Sequence, residues 1–482
     1  MRVVSRRRRR ALPALLAVLL ALVCGVVCAP APVLAEEGDQ AAYSADEPPA
    51  LSARYALLID RETGTVLLDQ GSDERWYPAS VTKVMTALLT IENVDLDETV
   101  TVTEEDLAEV TWDSSIAGLV PGDTLTVRDL LAGLMIPSGN DASYVLARYV
   151  GGGDWHAFVD MMNERAAELG CTDTHFVNPC GLHDDDHYST CADLALIFEE
   201  ALKHPEFVEV SSAATWELPE TSVAPARELK NTDVLIDPES PVYMGDTIVS
   251  SKTGSTVEGG KSLIVLAERD GRSLIGVVMG APLEADAAGV APNFYDMRSL
   301  LEWGFGAWQT GEVVSVGDVV GSAEVSLSSD GDAVDALATT SVVATVPVGT
   351  TLEDLTFAPS WSGALQAPLE DGAALGEVNV SLGERELGTV SAGAARAMGL
   401  SIPAFLVWWL TSDPVHVVLA VVGVVTVLVV VGVVASSSSR ARRRRRAASS
   451  PHRRAVARSV EPVRLRPPSR SRGGRGGSHL RR

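Results

Sequence analysis

The sequence predicts an α/β domain followed by a small all-β domain and one transmembrane helix. Three observations predict it. Strand-like hairpins stand at both sequence ends of a helical middle. Beyond Trp308 the helix signals give way to short β-prone runs separated by Gly, Asp and Pro. Then Val415 to Ala435 runs for 21 residues without Asp, Glu, Lys or Arg. The expected organisation is a signal peptide (1–35), a linker (36–50), the α/β domain (51–308), the β-rich domain (309–395), a juxtamembrane segment (396–412), the span (413–435) and a basic tail (436–482).

The elements follow in order. Arginines precede an apolar stretch, Ala11 to Val27, and Val33-Leu34-Ala35 offers a small-residue cleavage site before Glu36. Tyr55 to Asp60 and Thr65 to Asp69 flank Glu62-Thr63-Gly64, a hairpin signal. From Pro78, Val81, Val84, Met85, Leu88 and Leu89 recur at helical spacing. Thr124 to Met135, Asp141 to Val150 and Trp155 to Leu169 read as further helices. Ser262 to Glu268 and Ser273 to Gly280 are apolar strands joined by Arg269-Asp270-Gly271-Arg272. In the β-rich part the runs are Val313 to Val320, Ala323 to Leu327, Ser341 to Val346, Gly376 to Ser381 and Glu386 to Val390. The span would measure roughly 30 Å as a helix, one bilayer core.

Charge divides along the same lines. The chain carries 39 Lys+Arg and 64 Asp+Glu, a formal net charge of −25. Residues 436–482 hold sixteen arginines against one acid, Glu461. Residues 36–435 hold 17 basic and 63 acidic residues, a net of −46. So acidic a middle repels phosphates and excludes nucleic acid as its partner. Arg440 and Arg442 to Arg446 follow the span directly, which puts that side in the cytoplasm; Trp408 and Trp409 precede it, where an outer aromatic belt lies. Residues 36–412 are therefore expected outside the cell membrane. Three cysteines remain after processing, Cys171, Cys180 and Cys191, and an extracellular site permits one disulfide among them. The sequence leaves the pairing open.

Three short motifs carry chemistry. Ser80-Val81-Thr82-Lys83 lies at a helix start, where i and i+3 share a face, so a lysine amine stands beside a serine hydroxyl. A serine needs a base to become a nucleophile, and burial or a nearby positive charge can lower a lysine enough to serve. In Ser138-Gly139-Asn140, Ser138 could relay a proton and Asn140 could hold an amide; the bland alternative is a turn with an N-cap. In Lys252-Thr253-Gly254, the first two could bind a carboxylate and Gly254 would let a substrate backbone approach closely.

Together these are the S-x-x-K, S-x-N and K-T-G set of penicillin-binding proteins and class A β-lactamases. Residues 78–87, 134–142, 174–182 with Tyr188-Ser189-Thr190, and Asn231-Thr232 ahead of Ser251 to Gly254 resemble the low-molecular-mass D-alanyl-D-alanine carboxypeptidases, peptidase family S11. The resemblance covers residues 51–308. More loosely, residues 312–395 resemble the family's β-rich C-terminal domain. The implied fold is the DD-peptidase/β-lactamase-like one, an antiparallel sheet covered by helices. The implied activity is removal of the terminal D-alanine from peptidoglycan stem pentapeptides, with β-lactams acylating the same serine. On that likeness Ser80 is the nucleophile, Lys83 its base and Ser138 the proton relay. Asn140, Lys252, Thr253 and Gly254 bind substrate, and the backbone N–H of Ser255 joins that of Ser80 in the oxyanion hole. Neither metal nor cofactor is implied.

Two departures stand out. Cys180 occupies a position where the family commonly has His. A full span and basic tail stand where the family usually has an amphipathic helix. His183-Asp184-Asp185-Asp186-His187 has the composition of a metal cluster but falls in a variable polar loop of the family. Competing readings are an endopeptidase of D-Ala cross-links, a β-lactamase, and a catalytically idle wall-binding scaffold. The β-lactamase reading lacks a Glu-x-x-Leu-Asn segment between the second and third motifs.

Overall fold

In a computed structural model, residues 43–447 are described, and side chains up to Arg440. The signal-peptide expectation and most of the basic tail lie outside this range. The described chain forms two compact units.

The first unit holds the three motifs. Strands β1 (Tyr55–Asp60) and β2 (Val66–Gln70) come from its N-terminal part. Strands β3 (Ile248–Thr256), β4 (Gly260–Arg269) and β5 (Arg272–Ala281) come from nearly two hundred residues later. They make one antiparallel sheet in the order β2-β1-β5-β4-β3, so the two terminal hairpins meet in the middle through β1 and β5. The expected assembly of a sheet from the ends of the domain is what the structure has.

Strand β4 shows why the run Leu263 to Ala267 is apolar without alternation. Residues alternate faces along a strand. Leu263, Val265 and Ala267 enter a core with Phe294, Met297, Leu300 and Trp303 of the helix Pro292–Ala307. Ile264 and Leu266 enter a second core built from the helical middle. Both faces are covered, so both sets must be apolar. The middle contributes α1 (Lys83–Asn93), α2 (Val127–Met135), α3 (Asn140–Val150) and α4 (Trp155–Glu168).

Two element readings are corrected. The helix read from Thr124 begins at Val127, because Thr124–Thr126 pairs with Thr99–Thr101 as a short ribbon. Thr126 then caps the helix, its hydroxyl accepting from the Asp129 N–H at 3.1 Å. The run Val313 to Val320 is broken by a turn. There the Ser315 N–H donates to the Asp318 carboxylate, and Gly317 adopts φ +100°.

Most of the β-rich part also belongs to this unit. Thr356–Trp361, Ala374–Leu382, Arg385–Ala394, Ala333–Ala338 and Val319–Ser326 lie side by side in that order, while Trp308–Val314 pairs with Val342–Pro347. Ala333–Ala338 and Thr356–Trp361 escaped the sequence reading. The first mixes Asp and Ala, and the second contains Pro359 on an edge strand.

Cys171, Cys180 and Cys191 are free and buried, so the disulfide that the sequence left open does not form among them. The second unit contains the helix Ile402–Ser412 and the long helix from Pro414. Residues Pro414–Arg440 are long and apolar enough to cross a membrane. Ahead of them Trp409 stacks on His416, ring centroids 4.4 Å apart, closing the bend between the two helices.

Candidate active site

The first motif sits on a strained turn. Ala79 adopts φ +49°, then Ala79–Thr82 makes a short 3-10 helix that runs into α1. The tightness comes from a neighbour: Gly181 (φ +85°) packs so closely that a Cβ there would lie 1.8 Å from the Ala79 carbonyl oxygen. Only glycine fits. The helical spacing then does what the sequence implied, placing the Lys83 Nζ 2.8 Å from the Ser80 Oγ.

Lys83 is fully buried, and its amine has two further partners. It donates to the Asn140 Oδ1 at 2.8 Å and to the main-chain carbonyl of Cys180 at 2.8 Å. Three acceptors match the three N–H bonds of an ammonium. When the amine gives up one proton, the two fixed acceptors hold the remaining N–H bonds and leave the lone pair facing the Ser80 hydroxyl. Burial pulls Lys83 down to about 8, against the opposing influence of Cys180 and Asp141. A base poised there is partly unprotonated near neutral pH.

Cys180 contributes through its backbone. The Asn178 Oδ1 accepts N–H bonds from Cys180, Gly181 and Leu182, which fixes the loop that presents the carbonyl. The departure from His at this position therefore leaves the contact with Lys83 intact. Its thiol is buried and pushed up, chiefly by that burial.

The second motif projects from the start of α3. The helix N-cap is Gly139 and makes no side-chain cap, so neither Ser138 nor Asn140 is spent on capping. Ser138 adopts φ +62°, and its hydroxyl accepts from the Lys252 Nζ at 2.9 Å. The Asn140 Nδ2 donates to the Ser114 Oγ at 3.0 Å, and the Asn140 N–H donates to the Ser115 carbonyl at 2.8 Å. Asp141 holds that loop in place by accepting from the N–H groups of Ala117 and Leu119.

The third motif lies on β3, an edge strand. Lys252 is buried, its amine bonded to Ser138 and to the Thr253 carbonyl at 2.8 Å. Burial and repulsion from Lys83 hold Lys252 well below an ordinary lysine, with Asp233 pulling the other way. The Thr253 hydroxyl meets that of Thr232 at 2.6 Å. At Gly254 the close approach is to the protein's own turn ahead of Ser80: a Cβ would lie 2.9 Å from the Pro78 carbonyl oxygen and 3.3 Å from the Ala79 Cβ. This contact brings the exposed Ser255 up to the turn that carries Ser80.

All eight expected positions thus fall on three segments around one site. Ser114, Asp141, Cys180 (through its carbonyl), Thr232 and Asp233 were not among them. Asp141 had a signal, an acid in the first turn of a helix that begins on a motif residue, and Thr232 and Cys180 lay in segments that carry the family resemblance; Ser114 and Asp233 had none.

The metal-like cluster disperses. His187 is buried, with its Nδ1 accepting the Val177 N–H and its Nε2 on the Thr82 hydroxyl at 2.8 Å; burial holds it down to about 3. Asp184 to Asp186 lie along the loop, all three exposed. Among the described residues no group of three His, Cys, Asp or Glu gathers to hold a metal.

Residues 42–283 match the family model for the D-alanyl-D-alanine carboxypeptidases, peptidase family S11. The chain belongs to that family. Residues 308–399 match the C-terminal domain of penicillin-binding protein 5, which accounts for the β-rich part. The carboxypeptidase DacF of Bacillus subtilis is 33% identical over 303 residues, 61% of this chain and 72% of that protein. DacB2 of Mycobacterium tuberculosis is 31% identical over 256 residues, 52% and 82% of the two chains. Penicillin-binding protein 5 of Haemophilus influenzae superposes with a TM-score of 0.54 at 27% identity, over 73% of this chain and 99% of that one. As a member of the S11 family the chain is a serine-type D-Ala-D-Ala carboxypeptidase that binds penicillin and works through an acyl-enzyme. The β-lactamase and idle-scaffold readings fall away.

Proposed function

We propose that Ser80 is the nucleophile of this carboxypeptidase and Lys83 its general base. The supporting observation is the buried Lys83 amine, 2.8 Å from the Ser80 hydroxyl and oriented by Asn140 and Cys180. Lys83 takes the Ser80 proton as the oxygen attacks the carbonyl between the two terminal D-alanines. The backbone N–H groups of Ser80 and Ser255 receive the developing oxyanion. Ser138 accepts from Lys252, so its own O–H bond is free to turn toward the departing amine of D-alanine. Asn140 holds the peptide, and Lys252 with Thr253 receives the terminal carboxylate. Gly254 keeps β3 close enough for Ser255 to serve. Water then releases the shortened stem peptide from Ser80.

The full chain in detergent, given a stem pentapeptide ending in D-Ala-D-Ala, should release one D-alanine per stem. No release would overturn the reading. Faster cleavage of a cross-linked dimer than of the pentapeptide would move it to an endopeptidase.

The domain limits 51–308 and 309–395 and the signal peptide 1–35 complete the proposal, together with a span at 413–435 that carries the ectodomain outside. Support for the orientation is the arginine run after the span and the Trp pair before it. A C-terminal epitope tag should be reached by antibody only after permeabilisation. Staining of intact cells would reverse the topology.

A further inference from the structure

Two ammonium groups share this site, Lys83 at 0% and Lys252 at 1% exposure. A buried cation needs a countercharge, the more so beside a second cation. Two buried carboxyls act on them, Asp141 on Lys83 and Asp233 on Lys252. They are not equivalent. Asp141 is engaged on both oxygens, by the N–H groups of Ala117, Leu119 and Ala142. Asp233, 2% exposed, accepts the Leu235 N–H on Oδ1 at 2.8 Å, while its Oδ2 is buried without a hydrogen-bond partner.

Its placement points to the catalytic groove. The preceding residue, Thr232, donates its N–H to the Ile136 carbonyl at 3.1 Å and meets the Thr253 hydroxyl at 2.6 Å. Asp233 is thus one residue from a clamp across the segments that carry Ser138 and Lys252. A purely structural role at this turn would be met by the neutral isostere asparagine, which keeps the Leu235 bond. What only aspartate adds is charge.

We infer that Asp233 is the buried countercharge of Lys252, a positioning residue that keeps this amine charged for the substrate's terminal carboxylate. The inference rests on the proposed role of Lys252. The charged groups acting on Lys252 are Lys83, from α1, and Asp233; Ser138 and Thr253 face it uncharged. Lys252 is the charged group acting on Asp233. Burial pushes Asp233 up, and Ser251, the Leu235 N–H and Lys252 favour its ionised form. Burial and Lys83 both work to discharge Lys252, and Asp233 opposes them. Removing the charge and keeping the shape should therefore weaken carboxylate capture, most of all at alkaline pH.

The test is Asp233→Asn in the full chain in detergent, with kcat and KM for the pentapeptide followed across pH. KM should rise about tenfold with kcat little changed, and the alkaline limb of kcat/KM should move down by about one pH unit. Asp233→Glu should recover part of that limb. An unchanged KM and limb would overturn the inference. Should the asparagine variant fail to fold, infrared spectra of the wild type decide. Ionised Asp233 gives no protonated-carboxyl stretch at neutral pH, and a persistent one would also overturn the inference. Failure of the wild type to release D-alanine would instead strike the functional reading, and the infrared arm does not depend on it.

Discussion

Ser80→Ala should cut D-alanine release by about 10⁴-fold or more, the scale of losing a serine nucleophile. It should also abolish covalent labelling by a fluorescent penicillin. The substitution is mild structurally. Ser80 is half-buried, and its hydroxyl bonds to Lys83, which keeps Asn140 and the Cys180 carbonyl after the change. Folding stability should stay within about 0.5 kcal/mol, as for substitutions away from the core. Reversible penicillin binding through Lys252 and Thr253 should survive. Thermal melting and a gel-based label measure both sides. A variant that still acquires the label would place the nucleophile elsewhere.

The proposed catalytic groups were legible in the sequence for a physical reason. A nucleophile and its base must lie side by side, and the i, i+3 spacing of Ser80, in the short 3-10 helix, and Lys83, the first residue of α1, writes that requirement into four residues. The sheet was legible because β4 is buried on both faces and must be apolar throughout. What was not legible depends on contacts remote in the chain. Ser114 matters through Asn140, 26 residues away, and Asp233 through Lys252 on a separate strand. The Cys180 contribution is a main-chain carbonyl, which no residue type announces. The ribbon at Thr124–Thr126 was hidden because its partner, Thr99–Thr101, lies beyond any local window. The open question of a disulfide is answered by packing, because each thiol is buried in its own surroundings: Cys171 beside the Asp193 carbonyl, Cys180 beside Asn178 and Tyr144, and Cys191 inside the helical core.

The two lysines also explain each other. Each amine lowers the affinity of the other for a proton, so the free site favours one charge over two. The proposed division of labour needs that charge on Lys252, to receive a carboxylate, and needs Lys83 neutral to accept a proton. Asp233 biases the pair in the useful direction. The acidic surface around the site, by contrast, does not reach this choice. Both amines are shut away from solvent, and the buried neighbours decide.

The sharpest consequence falls on Lys83. Acylation of the free enzyme by a penicillin should rise with pH through about 8, because only the unprotonated amine can take the Ser80 proton. Below that value the reactive fraction falls about tenfold per pH unit. Two units below it, acylation should be about a hundredfold slower than the plateau that Lys83 alone would allow. Lys83→Met should remove this ascending limb and lower the plateau by about 10³-fold, within the range of a lost general base. Methionine fills similar volume and spares the cost of burying a cation, but it leaves the Asn140 Oδ1 and Cys180 carbonyl without their N–H partner. The fold should lose about 1–3 kcal/mol at most, offset in part by the charge no longer buried. Stopped-flow acylation across pH, with wild type and variant side by side, reads the limb directly. An ascending limb that persists unchanged in Lys83→Met would assign it to another group and remove Lys83 from the role of base.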